Sequence, residues 1–171
     1  SSKVTVYGGI SGNITGVLTA ANSPYVVTGD IFVNENDSLT IEAGVTMQFF
    51  GTHSLEIQGY FHAVGAVRDS IYFVPLNAND QWGGVHVNNV NNAKSVTLSY
   101  FVIKNGGTGT WDRAALCIRD RRNSDPIHVS HGEITGAQEE AILLAYNYYN
   151  RQNTNDDNNN QEWGTQELSN L

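Results

Sequence analysis

An alternating stretch, Ser38-Leu39-Thr40-Ile41-Glu42-Ala43-Gly44-Val45, returns sixteen residues later as Ser54-Leu55-Glu56-Ile57-Gln58-Gly59-Tyr60-Phe61. A period of two puts Leu39 and Ile41, then Leu55 and Ile57, on one buried face of successive strands. Neither copy can bury that face alone, so units of this kind become stable by stacking into a solenoid. A longer repeat follows. Val96-Thr97-Leu98-Ser99-Tyr100-Phe101-Val102-Ile103 aligns with Ile127-His128-Val129-Ser130-His131-Gly132-Glu133-Ile134, thirty-one residues on. Each copy leads through a polar, glycine-containing loop into Ala115-Leu116-Cys117-Ile118 or Ala141-Ile142-Leu143-Leu144. The first of these loops, Asn105 to Arg113, is the longer and holds Trp111.

The remaining segments agree with this pattern. Tyr25–Val33 is β-branched and aromatic, which favours strand, and Asn34–Asp37 supplies a turn. Glycines at 8, 9, 12 and 16 mark turns near the start rather than helix. Good helix formers in 137–149 support a helix there, but the alignment with Ala115–Ile118 favours a strand. A sandwich would want Asn-Gly hairpin turns, which are scarce, and a propeller needs several blades of ~40 residues. The expected fold is all-β: a right-handed, single-stranded parallel β-helix of about five or six coils. It divides into an N-terminal cap (1–24), the β-helix (25–149) and a polar tail (150–171). The expected core runs from Leu39, Ile41 and Val45 through Leu55, Ile57, Ile71, Phe73, Val85, Val87, Leu98 and Ile103. It continues with Leu116, Ile118, Val129, Ile134, Ile142 and Leu144. Asn88 and Asn105 are expected at corners, where asparagine tolerates left-handed backbone or bonds local amides. So short a stack reads as a shortened module or a fragment.

Composition narrows the partners. With 9 Lys+Arg against 17 Asp+Glu the formal net charge is -8, which disfavours nucleic acid and anionic membranes. The balance suits an extracellular setting. No apolar run approaches the ~18 residues of a membrane span. No charged-then-apolar leader opens the chain, so an export signal is expected to have been removed or never present. The one cysteine, Cys117, sits in an apolar run and is expected to pack as a small core residue.

The residues Tyr25-Val26-Val27-Thr28-Gly29-Asp30-Ile31, Leu39–Val45, Leu55–Gly59 and Trp82-Gly83-Gly84-Val85 resemble a pattern that opens many bacterial exoproteins and surface proteins. Those proteins are pectin-lyase-like parallel β-helices. The resemblance covers about 25–107 well, extends to 144, and is absent from the tail. It implies the fold, a structural role for Trp82 and a secreted or cell-surface location. It leaves activity open, because one scaffold serves lyases, glycosidases, adhesins and proteins with no known reaction.

Chemical candidates are sparse. His53, His62, His86, His128 and His131 form no zinc-ligand spacing, and a strand would point His128 and His131 to opposite faces. Asp112, Arg119, Asp120 and Arg121, with Asp125 beyond them, form the densest ionisable cluster. Lyases on this scaffold use an arginine or lysine base with acid-held calcium, although solvated loop charges pairing with one another explain the cluster as well. Trp111 and Tyr100, ahead of Tyr60, are the aromatic candidates for stacking on a sugar. In the tail, Asp156, Asn158, Asn160 and Glu167 take positions 1, 3, 5 and 12 of an EF-hand-like calcium loop. Gln161 stands where that loop wants glycine. The expected function is a module binding carbohydrate or another surface component without catalysis. The alternative is a polysaccharide lyase or glycoside hydrolase. Oligomeric state is not legible.

Overall fold

The computed structural model describes residues 8–89, 94–108, 113–120, 127–146 and 166–169. In chain order the strands are β1 (Ile10–Asn13), β2 (Gly16–Leu18), β3 (Tyr25–Val33), β4 (Ser38–Ile41), β5 (Thr46–Phe49), β6 (Ser54–Ile57) and β7 (Tyr60–Val64). They continue as β8 (Ile71–Pro75), β9 (Gly84–Asn89), β10 (Val96–Lys104), β11 (Ala114–Asp120), β12 (Ile127–Thr135), β13 (Glu140–Tyr146) and β14 (Gln166–Ser169). A single 3-10 turn, Ala20–Asn22, interrupts them. The region that carried a possible helix is strand β13, paired with β11.

Every pairing between these strands is parallel. The registers sort them into three ladders. The first joins β2, β4, β7, the first half of β10, the first half of β12, and β14. The second joins the first half of β3, β5, β8 and the second halves of β10 and β12. The third joins β1, the second half of β3, β6, β9, β11 and β13. From β2 onward the chain visits first, second and third ladder in turn, repeatedly. This order is solenoid-like. Among the described strands no two consecutive ones pair, so each depends on a strand at least two further along the chain.

Alternation decides which face is dry. Leu39, Ile41, Leu55, Ile57, Phe61, Ala63, Val85 and Val87 are buried, while the side chains between most of them reach outward. Burying each large apolar side chain contributes roughly 1.5–3 kcal/mol. Trp82 lies inside with its ring stacked on Phe49, centroids 3.9 Å apart. Its Nε1–H donates to the Lys104 carbonyl at 2.7 Å. That satisfies the indole donor, and the structural role expected of Trp82 holds.

Several expectations need correction. Leu39 pairs with Gly16 and Phe61, whereas Leu55 pairs with Ile31 and Val85. The sixteen-residue copies therefore sit on different ladders with β5 between them. The thirty-one-residue repeat is a true rung, with Val96 opposite Ile127 and Ile103 opposite Ile134. Leu144 is half exposed: its strand β13 has no paired described strand beyond it. Asn88 lies inside β9 opposite Arg119, not at a corner. Asn105 is at a corner with φ 54° and donates to the Ala78 and Asp80 carbonyls. His128 and His131 do not alternate between faces, because His131 adopts φ 52° and breaks the strand's period. Cys117 is buried as expected, but it falls outside the core cluster that takes Leu116 and Ile118.

Candidate functional site

The corner between the first and second ladders combines unusual backbone with presented rings. Gly65, Tyr100 and His131 occupy it on successively paired strands, fixed by Val64 opposite Ser99 and Ser99 opposite Ser130. Tyr100 and His131 both take left-handed backbone, φ 50° and 52°. For residues with a Cβ that conformation costs of order 1–3 kcal/mol, and such strain concentrates at working sites. Gly65 needs to be glycine for a different reason: a Cβ there would strike the Tyr100 carbonyl oxygen.

At this turn Tyr100 is half-buried and His131 is exposed. They stack on one another with centroids 4.4 Å apart and planes within 16°. Beside them, the outward positions of the second ladder align Tyr72, Val102 and Glu133. Tyr72 is 38% exposed, whereas Val102 is 8% exposed and forms an apolar floor. Flat rings, an apolar patch and a carboxylate on one side of a rigid ladder can hold a ligand with both apolar faces and hydroxyls. Tyr100 was visible as a candidate from its residue type. His131 was aligned with Tyr100 by the thirty-one-residue repeat, but nothing in the sequence showed the left-handed backbone that sets it apart.

A second arrangement lies on the outer side of the third ladder. Glu56, His86 and Cys117 occupy one row on β6, β9 and β11. His86 Nδ1 donates to Glu56 Oε1 at 2.7 Å, and the Ser54 hydroxyl donates to the same oxygen at 3.4 Å. Near the row's start, His53 Nδ1 lies 3.5 Å from Asp30 Oδ1. Elsewhere, Tyr60 is 44% exposed with the Lys94 ammonium 5.0 Å from its ring centroid.

Of the expected charged cluster, Trp111 and the tail site, only Arg119, Asp120 and Glu167 fall among the described residues. Arg119 is half-buried on β11 opposite Asn88, and Asp120 follows it opposite Asn89. Asp112, Arg121, Asp125 and Trp111 lie outside the described residues, as do Asp156, Asn158 and Asn160. Glu167 belongs to β14, opposite His128, so it is a strand residue rather than the end of a loop leading into a helix. Among the described residues no group of three or more His, Cys, Asp or Glu could hold a metal ion.

Comparison with known proteins adds little. No family model and no solved structure matches the chain. A 55-residue segment, 32% of this chain, is 42% identical to Protein bark beetle of Drosophila melanogaster and spans 2% of that protein. Among the described residues no helix is long and apolar enough to cross a membrane.

Proposed function

We propose that the chain is a right-handed, single-stranded parallel β-helix of five or six coils, serving as a binding module of a secreted or cell-surface protein. It performs no chemistry itself. The solenoid-like pairing order and the unbroken apolar interior support the coil, and the acidic composition suits the extracellular location. Carbohydrate is the ligand class, because half-buried Tyr100 stacked on exposed His131, beside hydroxyl and carboxylate groups, suits a pyranose face with its hydroxyl rim.

The observation that carries this reading is the Tyr100–His131 stack, held outside the coil by left-handed backbone on two successive rungs. Screening the chain on a glycan array, with assays for unsaturated and reducing-end products, tests it. Binding without product formation is the expected result. Product formation would replace this reading with a lyase or hydrolase, and a blank array would remove carbohydrate as the ligand. Calcium at Asp156, Asn158, Asn160 and Glu167 belongs to the same proposal, supported by oxygen spacing alone. The strand position of Glu167 departs from an EF-hand, so a looser oxygen site is the form proposed.

A further inference from the structure

The two ends of the stack differ from its middle, and the difference has a pattern. On β12 the half covered by β14 holds Ile127 and Val129, both buried. The other half, 132–135, has no described strand beyond it. Its Ile134 is only partly buried, although the paired Ile103 is fully buried. Strand β13 repeats the contrast. Its Leu144 is 50% exposed where the paired Ile118 is 1% exposed. This end is therefore covered on the first ladder and open, among the described strands, on the second and third.

At the opposite end stand β1, on the third ladder, and β2, on the first. The Ile14 N–H donates to the Phe32 carbonyl at 2.9 Å, which extends the register of β1 by one residue. Ile14 thus heads the column that runs through Val33, Ile57, Val87 and Ile118 to Leu144. Leu18 heads the column that runs through Ile41, Ala63, Leu98 and Val129 to Leu168. Ile14 and Leu18 pack on the core, yet both are only partly buried.

We propose that the open end receives the β1–β2 end of a second copy of this chain, so that copies join head to tail in one continuous stack. Ladder order selects this occupant. The described pairing stops at β14 on the first ladder, so the next positions are second, third, then first. A second copy brings β1 to the third ladder, on β13, and β2 to the first, on β14. Residues 3–7 lie outside the described residues, but Lys3-Val4-Thr5-Val6-Tyr7 alternates like a strand and directly precedes β1. That is the place a second-ladder strand holds in the chain order. Register also continues across the join, setting the second copy's Ile14 beside Leu144 and its Leu18 beside Leu168. Copies related by rotation and translation along one axis keep their strands parallel, as all pairing within the chain is. Uncapped strand edges are templates for such addition. The contact joins two different surfaces and does not close on itself, so it propagates into filaments. It rests on the pairing order of the ladders and not on the carbohydrate corner.

Sedimentation velocity of the folded chain, over a rising concentration series, should show species that keep growing beyond the dimer. Leu144→Lys and Ile14→Lys each put a charge into the join, and each should weaken association more than about tenfold. Each variant retains one sound end. Mixed in equal amounts, they should form a one-to-one dimer that grows no further. If Ile14→Lys does not fold, Leu144→Lys added to the parent decides, because it should terminate growth and shorten the filaments. A parent that stays monomeric throughout would overturn the proposal, even if it still binds glycan and so leaves the binding reading intact. A Leu144→Lys chain that associates as tightly as the parent, or leaves filament length unchanged, would overturn it as well.

Discussion

Left-handed backbone at Tyr100 and His131 turns outward two flat side chains that strict alternation after Leu98 and Val129 would have placed on the buried face. Tyr100→Ala and His131→Ala keep a Cβ and therefore keep the strain, so each should remove ring contact with little change in stability. For an oligosaccharide selected on the array, either change should weaken binding by roughly 0.5–1.5 kcal/mol, about threefold to tenfold, measured by titration calorimetry. Core side chains behave differently. Leu55 is fully buried and Leu144 is 50% exposed. Leu55→Ala should cost about 2–5 kcal/mol in urea unfolding. Leu144→Ala should cost much less, within about 1 kcal/mol, because a half-exposed site leaves little cavity. Cys117 is inaccessible, so a maleimide should label it slowly in the native state and fully after denaturation.

Strand corners carry constraints that the strands themselves do not reveal. At Gly65 an added Cβ meets backbone, the Tyr100 carbonyl, which cannot swing aside. At Gly51 a Cβ meets open space, and only the positive φ of 64° opposes it. Gly65→Ala should therefore destabilise by about 1–3 kcal/mol or more. Gly51→Ala should cost nearer 1 kcal/mol, and thermal unfolding of both variants compares them. The same contrast explains what could be read in advance. The repeat of Val96–Ile103 in Ile127–Ile134 already gives their true register, because both copies are nine-residue strands that bend at the same position. The copies at Leu39 and Leu55 misled, because rung offsets vary: Leu39 meets Phe61, but Phe61 meets Val96. Local pattern reports which face is buried. It does not report which ladder a strand joins, and so could not bring Glu56 to His86; the repeat did align Tyr100 with His131, but did not reveal their left-handed backbone.

Because every described strand pairs with a non-consecutive one, β14 of the tail with β12 included, the stack should unfold as a unit. If calcium binds through Asp156, Asn158, Asn160 and Glu167, chelation should reduce amide protection in 153–171 and leave the main thermal transition nearly unchanged. Hydrogen exchange with and without a chelator measures this. Loss of the main transition, or no change in the tail, would contradict the calcium proposal. The binding surface itself predicts a compact footprint on one side of one ladder. Amide shift mapping with an array-selected oligosaccharide should move resonances of 65–72, 99–104 and 130–135 and leave the third ladder still. Shifts confined to other residues, or spread through the buried rungs, would contradict a ligand platform built on the Tyr100–His131 corner.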